Sequence, residues 1–251
     1  MKNIKAIGFD LFNTLIVIEP DTLVHAMKRM IKSLLCDGFC IDEHLYIRDY
    51  KNAASIYVAQ ARKDGIETHN SIWVSHVLNS YGISILPDDE RICRSIDEYF
   101  SAFYDSVNLI PDALETLTIL KNRYPLGLLS NFTHAPAAKE ILNRTGLASC
   151  FETILISGEL GYRKPHVFVF EELAKGLGVE KEEIIYTGDD PEPDINGASQ
   201  AGLNPVWFTY IIENNVPVIR GTIQSDIKEP DTNVPRASSW KEFVAILNAG
   251  I

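Results

Sequence analysis

Four short stretches carry the residues that could do chemistry. Asp10 closes the apolar run Ile7-Gly8-Phe9. Ser130-Asn131 follows Leu126-Gly127-Leu128-Leu129. Arg163-Lys164-Pro165 comes after Thr153 to Ile156. Gly188-Asp189-Asp190 follows Ile184-Ile185-Tyr186-Thr187, with Asp194 shortly beyond. Asp10, Asp189 and either Asp190 or Asp194 would repel one another unless a cation lay among them. Hard oxygen ligands of this kind suit Mg²⁺, which is often held by few carboxylates together with water and substrate phosphate. Lys164 can offset the charge of a nucleophilic carboxylate and of a transferring phosphoryl group, and Ser130 and Asn131 can donate hydrogen bonds to its oxygens. Positioning and charge neutralisation are most of what phosphoryl transfer requires.

Taken singly, each stretch has a plainer reading. Asp10 and Ser130-Asn131 suit a turn or a helix cap. Lys164-Pro165 suits a solvated loop, and Asp194 suits the positive end of a helix. What favours chemistry is that all four follow apolar runs. Those runs do not alternate with polar residues, and from Pro111 onward they alternate with helical segments at 112–123, 135–145, 167–177 and 194–202. That rhythm predicts an α/β architecture, a parallel sheet with helices on both faces. In such a sheet the carboxyl ends of the strands form the ligand edge, so the four stretches converge. The strands are expected at Ile4 to Asp10, 126–130, 152–156, 183–187 and 205–209. Residues 211–236 read as loop with one short strand, and Trp240 to Leu247 as a last helix.

Residues 21 to about 105 differ in texture. Leu23, Met27, Met30, Ile31, Leu34 and Leu35 follow helical spacing, as do Trp73, Val74, Val77 and Leu78. This predicts a helical-bundle domain at 19–105 inserted into a core made of 1–18 and 106–251. Tyr46, Tyr50, Tyr57 and Trp73 read as core of that bundle.

The net charge of −11 argues against nucleic acid, since phosphate-backbone binding needs clustered Lys and Arg. It leaves a small phosphate ester open, because one lysine and a metal ion can outweigh the global field. Cys36, Cys40, Cys93 and Cys150 complete no zinc pattern and read as buried thiols of a reducing compartment. The six histidines form no pair of ligand spacing, and His166 reads as a loop residue. No apolar run suits a signal sequence or a membrane span. The expected setting is cytoplasmic, with a small-molecule substrate, as a monomer or homodimer.

In order and spacing, Asp10-Leu11-Phe12-Asn13-Thr14, Ser130-Asn131, Lys164-Pro165 and Gly188-Asp189-Asp190 through Asp194-Ile195-Asn196-Gly197-Ala198 resemble the motifs of the haloacid dehalogenase-like hydrolases. The resemblance implies a Rossmann-like core, and the helical insert matches the cap that one subgroup places after its first motif. It implies Asp10 as covalent nucleophile, with Thr14 and Ser130 orienting it or binding substrate oxygens. Lys164 would stabilise nucleophile and phosphoryl group. Mg²⁺ would be held by Asp10, Asp189 and the backbone carbonyl of Phe12, with Asp190 and Asp194 in support, Asp194 serving Lys164 or the metal shell. The substrate would be a small phosphate ester or acyl phosphate.

One position departs from the pattern. The second residue after the nucleophile is usually Asp in the family's phosphatases, acting as acid and base. Here it is Phe12, which cannot move a proton. An aromatic residue at that place resembles the family's 2-haloacid dehalogenases, which attack carbon without a metal and use an arginine early in the cap. Arg29 lies in that region. A third expectation is a binding or regulatory protein that keeps the fold without turnover.

Overall fold

Short apolar strands capped by polar turns lay out the protein. The computed structural model describes residues 3–217, 229–230 and 233–250. The first half of the chain runs β1 (Ala6–Phe9), β2 (Ile16–Ile18), α1 (Thr22–Cys36), α2 (Glu43–Asp64), α3 (Asn70–Ser80), α4 (Glu90–Tyr104) and β3 (Val107–Leu109). The second half runs α5 (Ala113–Leu120), β4 (Leu126–Ser130), α6 (Ala135–Arg144), β5 (Thr153–Ile156), α7 (Ser157–Leu160), α8 (Val167–Leu177), β6 (Ile184–Gly188), α9 (Gly197–Ala201), β7 (Asn204–Phe208), α10 (Tyr210–Glu213), β8 (Arg236–Ala237) and α11 (Trp240–Ala249).

The main sheet is parallel throughout, in the order β5-β4-β1-β6-β7-β8. Every residue of β1, β4 and β6 is buried, which is why these strands read as continuous apolar runs. Helix α8 lies so close on one face that a Cβ on Gly127 would fall 2.6 Å from Leu173 Cδ1. On the other face Phe9, Phe208, Trp240 and Phe243 stack into an aromatic core. The order places β1 between β4 and β6, so the chain leaves in opposite directions on either side of Asp10. That is the crevice where such sheets bind ligands.

Helices α1–α4 pack on one another as a bundle. Asp42 caps α2 by accepting from the Leu45 N–H at 2.9 Å, and Gly65 ends it in the left-handed region at φ 74°. Tyr46, Tyr50 and Trp73 are core residues of this bundle, as their spacing predicts, and Tyr57 is partly buried.

Several details differ from the sequence expectations. The strand expected at Ile4 to Asp10 is confined to Ala6–Phe9. The antiparallel ribbon β2–β3, which closes the stem of the helical insert, is not predicted, because three-residue strands leave no periodicity to read. The helix expected at 194–202 begins only at Gly197; a wide helical turn, Pro191–Asn196, precedes it. The segment expected as loop from 211 begins inside helix α10 and ends in β8, and 218–228 and 231–232 lie outside the described residues. Cys150 is buried, but Cys36, Cys40 and Cys93 are exposed free thiols, contrary to the expectation for all four. No helix among the described residues is long and apolar enough to cross a membrane.

Candidate active site

Asp10 leaves β1 with its backbone N–H donating to Thr187 O at 2.9 Å, so the sheet itself aims the carboxylate. The next turn brings Thr14 back beneath it, where Thr14 Oγ1 donates to Asp10 Oδ2 at 3.3 Å. Asn13 makes that return possible by adopting a positive φ of 62°, a conformation Asn tolerates.

Lys164 reaches the same point from the loop beyond β5. Its Nζ donates to Asp10 Oδ1 and Asp194 Oδ1, both at 2.6 Å, and to the Tyr186 hydroxyl at 2.9 Å. All three ammonium protons are thereby directed. Burial alone would push the Lys164 pKa down, but Asp10 and Asp194 outweigh it and hold the group well above the ordinary lysine value. Asn131 fixes the lysine backbone from both sides: it accepts from Lys164 N–H at 2.8 Å and donates to Lys164 O at 3.0 Å. The Asn131 carboxamide thereby spends its oxygen and one of its two N–H donors on the Lys164 backbone. The Ser130 Oγ is buried and makes no hydrogen bond to the protein, which leaves it open to a ligand oxygen.

The carboxylates gather at the end of β6. Ligand atoms of Asp10, Asp189 and Asp194 lie within 4.8 Å of one another. Asp194 is drawn inward by the wide turn 191–196 and accepts from the Asp190 backbone N–H at 3.0 Å through Oδ2. This needs glycine at 188, since a Cβ there would sit 2.4 Å from Asp194 Cγ. Asp190 supports through that N–H; its own carboxylate caps the turn by accepting from the Glu192 N–H at 3.3 Å and stands outside the group of three. Three carboxylates face one lysine. Burial first, then the neighbouring Asp10 and Asp194, push Asp189 well above the usual carboxylate range. Burial pushes Asp10 up to about 7, against the pull of Lys164. A group of all-oxygen donors with more negative than positive charge fits a hard divalent cation.

These shifts predict a pH effect on the metal-free protein. The folded pKa of Asp10, about 7, exceeds its unfolded value of 3.8. The stability this raised value confers is complete below pH 3.8 and is lost as pH rises through about 7. In EDTA, Asp10→Asn should raise Tm at pH 8 by on the order of 5 °C, equivalent to a few kcal/mol, with the gain shrinking towards pH 4. Equal shifts at both pH values in a thermal melt would contradict the assigned charge balance.

Tyr186 is the site residue that sequence reading passed over. It is buried, accepts from Lys164 and donates to Leu129 O at 3.1 Å. The signal was a polar ring inside the apolar run Ile184-Ile185, on the opposite sheet face from Thr187.

Phe12 borders the site without entering the hydrogen-bond network. Its ring stacks on Phe132 at 4.8 Å, and Phe132 in turn meets Phe100 and Phe103 of α4 at 5.1 and 5.9 Å. These rings form an apolar seam between the helical insert and the end of β1. Arg29 is engaged on the surface of the helical bundle: it donates to Ser101 Oγ at 2.9 Å and pairs with Asp105 at 3.0 Å. His166 caps α8 by accepting from the Phe168 N–H at 3.3 Å, as a loop histidine would.

A family model described as haloacid dehalogenase-like hydrolase matches residues 4–202. The chain is 34% identical over 211 residues to a ribulose-1,5-bisphosphate 5-phosphatase of Halopiger xanaduensis, covering 81% of this chain and 84% of that protein. It is 27% identical over 211 residues to a glyceraldehyde 3-phosphate phosphatase of Pyrococcus furiosus, covering 84% and 82%. The crystal structure of a 2-haloacid dehalogenase from Pseudomonas syringae pv. Tomato shares the fold with a TM-score of 0.66 at 23% identity, covering 98% of this chain and 99% of that one.

Proposed function

This chain belongs to the haloacid dehalogenase-like hydrolases, and from that premise we propose that it is a Mg²⁺-dependent phosphatase of a small phosphorylated metabolite. The observation that carries the reading is the Lys164 ammonium set at 2.6 Å between Asp10 and Asp194, with Asp189 beside them. Asp10 Oδ2 attacks phosphorus, the bond from phosphorus to the leaving oxygen breaks, and an aspartyl-phosphate forms. Ser130 Oγ donates to the phosphoryl oxygens, and Lys164 turns a proton from Asp10 to them, while charge builds on them. Water then attacks phosphorus, releasing orthophosphate and restoring Asp10. Asp10, Asp189 and the Phe12 carbonyl would hold Mg²⁺, which would supply positive charge beside the carboxylates and a bound phosphate dianion. Asp194 orients Lys164, and Thr14 orients Asp10.

Phe12 narrows the substrate. Phe12 cannot protonate the leaving oxygen, so unless a residue of the insert or water does so, leaving groups that are stable as anions are favoured. Acyl and aryl phosphates meet that condition. The names of the relatives, which are phosphatases of glyceraldehyde 3-phosphate and ribulose bisphosphate, support a substrate of metabolite size. Residues 19–105 would act as a cap that closes over the strand ends and excludes water. A cytoplasmic monomer or homodimer fits this role.

Phe12 also favours a second reading, attack of Asp10 on a 2-haloacid carbon. The commitment of Arg29 to Ser101 and Asp105 weighs against it. One screen separates the two: acetyl phosphate, a sugar phosphate and 2-chloropropionate, each with Mg²⁺ and with EDTA. The expected result is phosphate release that needs Mg²⁺ and is faster from acetyl phosphate. Chloride release in EDTA would establish the second reading, and equal turnover of both phosphates would remove the role given to Phe12.

A further inference from the structure

One buried carboxylate has no part in the chemistry above. Glu67 lies between α2 and α3, and its side chain is 0% exposed. Its Oε2 accepts from Ser157 Oγ at 2.5 Å. Its Oε1 accepts from the Thr68 N–H at 2.9 Å and from Arg163 Nη1 at 3.2 Å. Among the described residues Glu67 is the only carboxylate paired with Arg163, and the buried Arg163 Nε has no partner.

Both side-chain partners of Glu67 lead to the active site. Arg163 immediately precedes Lys164. Ser157 Oγ accepts from the Phe132 N–H at 2.8 Å, which ties it to the loop that begins at Ser130. The backbone reinforces the same junction: Glu67 N–H donates to Gly161 O and Arg163 N–H to Gly65 O, each at 2.9 Å, around a bridge between Ile66 and Tyr162. Two residues on, His69 Nδ1 lies 3.1 Å from Thr133 O, and Thr133 Oγ1 donates to Asn70 Oδ1 at 2.5 Å. One short segment of the helical insert thus grips both loops that present Ser130 and Lys164. A mere plug here would be better apolar, because a buried ion pair loses the hydration of both charges and a well-packed apolar pair does not. What the carboxylate adds is direction. Two oxygens, three donors and two loops leave little freedom for either loop.

Resting on the phosphatase reading, we propose that Glu67 is a positioning residue: through Arg163 and Ser157 it sets the Lys164 loop and the Ser130 loop in register when the insert is seated. It touches no reacting atom. When Glu67 loses its charge, the Arg163 guanidinium is left buried without a counter-charge. It turns to water and carries the Lys164 backbone with it.

The test is Glu67→Gln, which keeps the volume and the acceptor for Ser157. With p-nitrophenyl phosphate and Mg²⁺, kcat should fall roughly 10- to 100-fold while KM changes by less than about threefold, the split expected of misplaced catalytic groups. Adding Arg163→Gln should cost little more, since the two act as one unit. Amide hydrogen exchange followed by mass spectrometry should quicken in 131–134 and 157–164 together with 65–70. Unchanged kcat, additive losses, or faster exchange confined to 65–70 would overturn the proposal. If the wild type releases no phosphate, the phosphatase reading fails by that result, and the exchange experiment still decides whether Glu67 orders the two loops.

Discussion

Asp10→Asn should lower Mg²⁺-dependent phosphate release by at least about 10⁴-fold, as loss of a covalent nucleophile does. The substitution is nearly isosteric. The backbone N–H still donates to Thr187 O, Thr14 Oγ1 keeps an acceptor, and Lys164 retains Asp194 and Tyr186. What disappears is a carboxylate oxygen able to attack phosphorus. The same variant is expected to melt higher than the wild type in EDTA at pH 8, so lost activity cannot be blamed on lost folding. Quenching a reaction with radiolabelled substrate should trap label on the wild-type chain and none on the variant. Residual turnover within tenfold of the wild type would rule out Asp10 as the nucleophile.

Phe12→Asp should act in the opposite direction. A carboxyl at this place can protonate a leaving oxygen and later take a proton from water. Turnover of a sugar phosphate should rise by roughly 10²- to 10⁴-fold, the usual worth of general acid–base help. Acetyl phosphate should gain far less, because its leaving group is already stable as an anion. The pH profile should acquire a second limb. The substitution also removes the stack of Phe12 on Phe132, and with it part of the seam to Phe100 and Phe103. A lower melting temperature is therefore expected beside the higher activity, by roughly 1–3 kcal/mol of stability. An unchanged ratio between the two substrates would place the proton donor elsewhere.

Much of this site could be read from the sequence because buried parallel strands write themselves as apolar runs, and the residue that breaks each run marks its end. Asp10, Ser130 and Asp189 stand at such ends. Their order across the sheet was not readable, since nothing in β1 says that β4 and β6 flank it. For Asp194 the sequence supports both a helix start and a partner for Lys164; the wide turn that bends it towards Lys164 depends on Gly188 lacking a Cβ and has no signature in the sequence. The tie of Asn131 to the Lys164 backbone spans 33 residues and leaves no mark on the local sequence. Glu67 left no trace for a similar reason, with Ser157 and Arg163 lying 90 and 96 residues along the chain. Such pairings belong to tertiary structure and have no local pattern. The cysteines show the converse error: a small apolar type says little about which side of a helix it occupies.

The saturated ammonium of Lys164 bears on how tightly the product stays. Its three protons already point at Asp10, Asp194 and Tyr186. An arriving anion gains a proton from this lysine only by taking it from a resident acceptor, so the contact is an exchange and not an addition. Most of its strength is cancelled, because a protein hydrogen bond is lost for the one that is made. Orthophosphate, which lacks the rest of the substrate to hold it, should therefore dissociate readily. An enzyme arranged in this way would keep turning over where phosphate is plentiful, with little product inhibition.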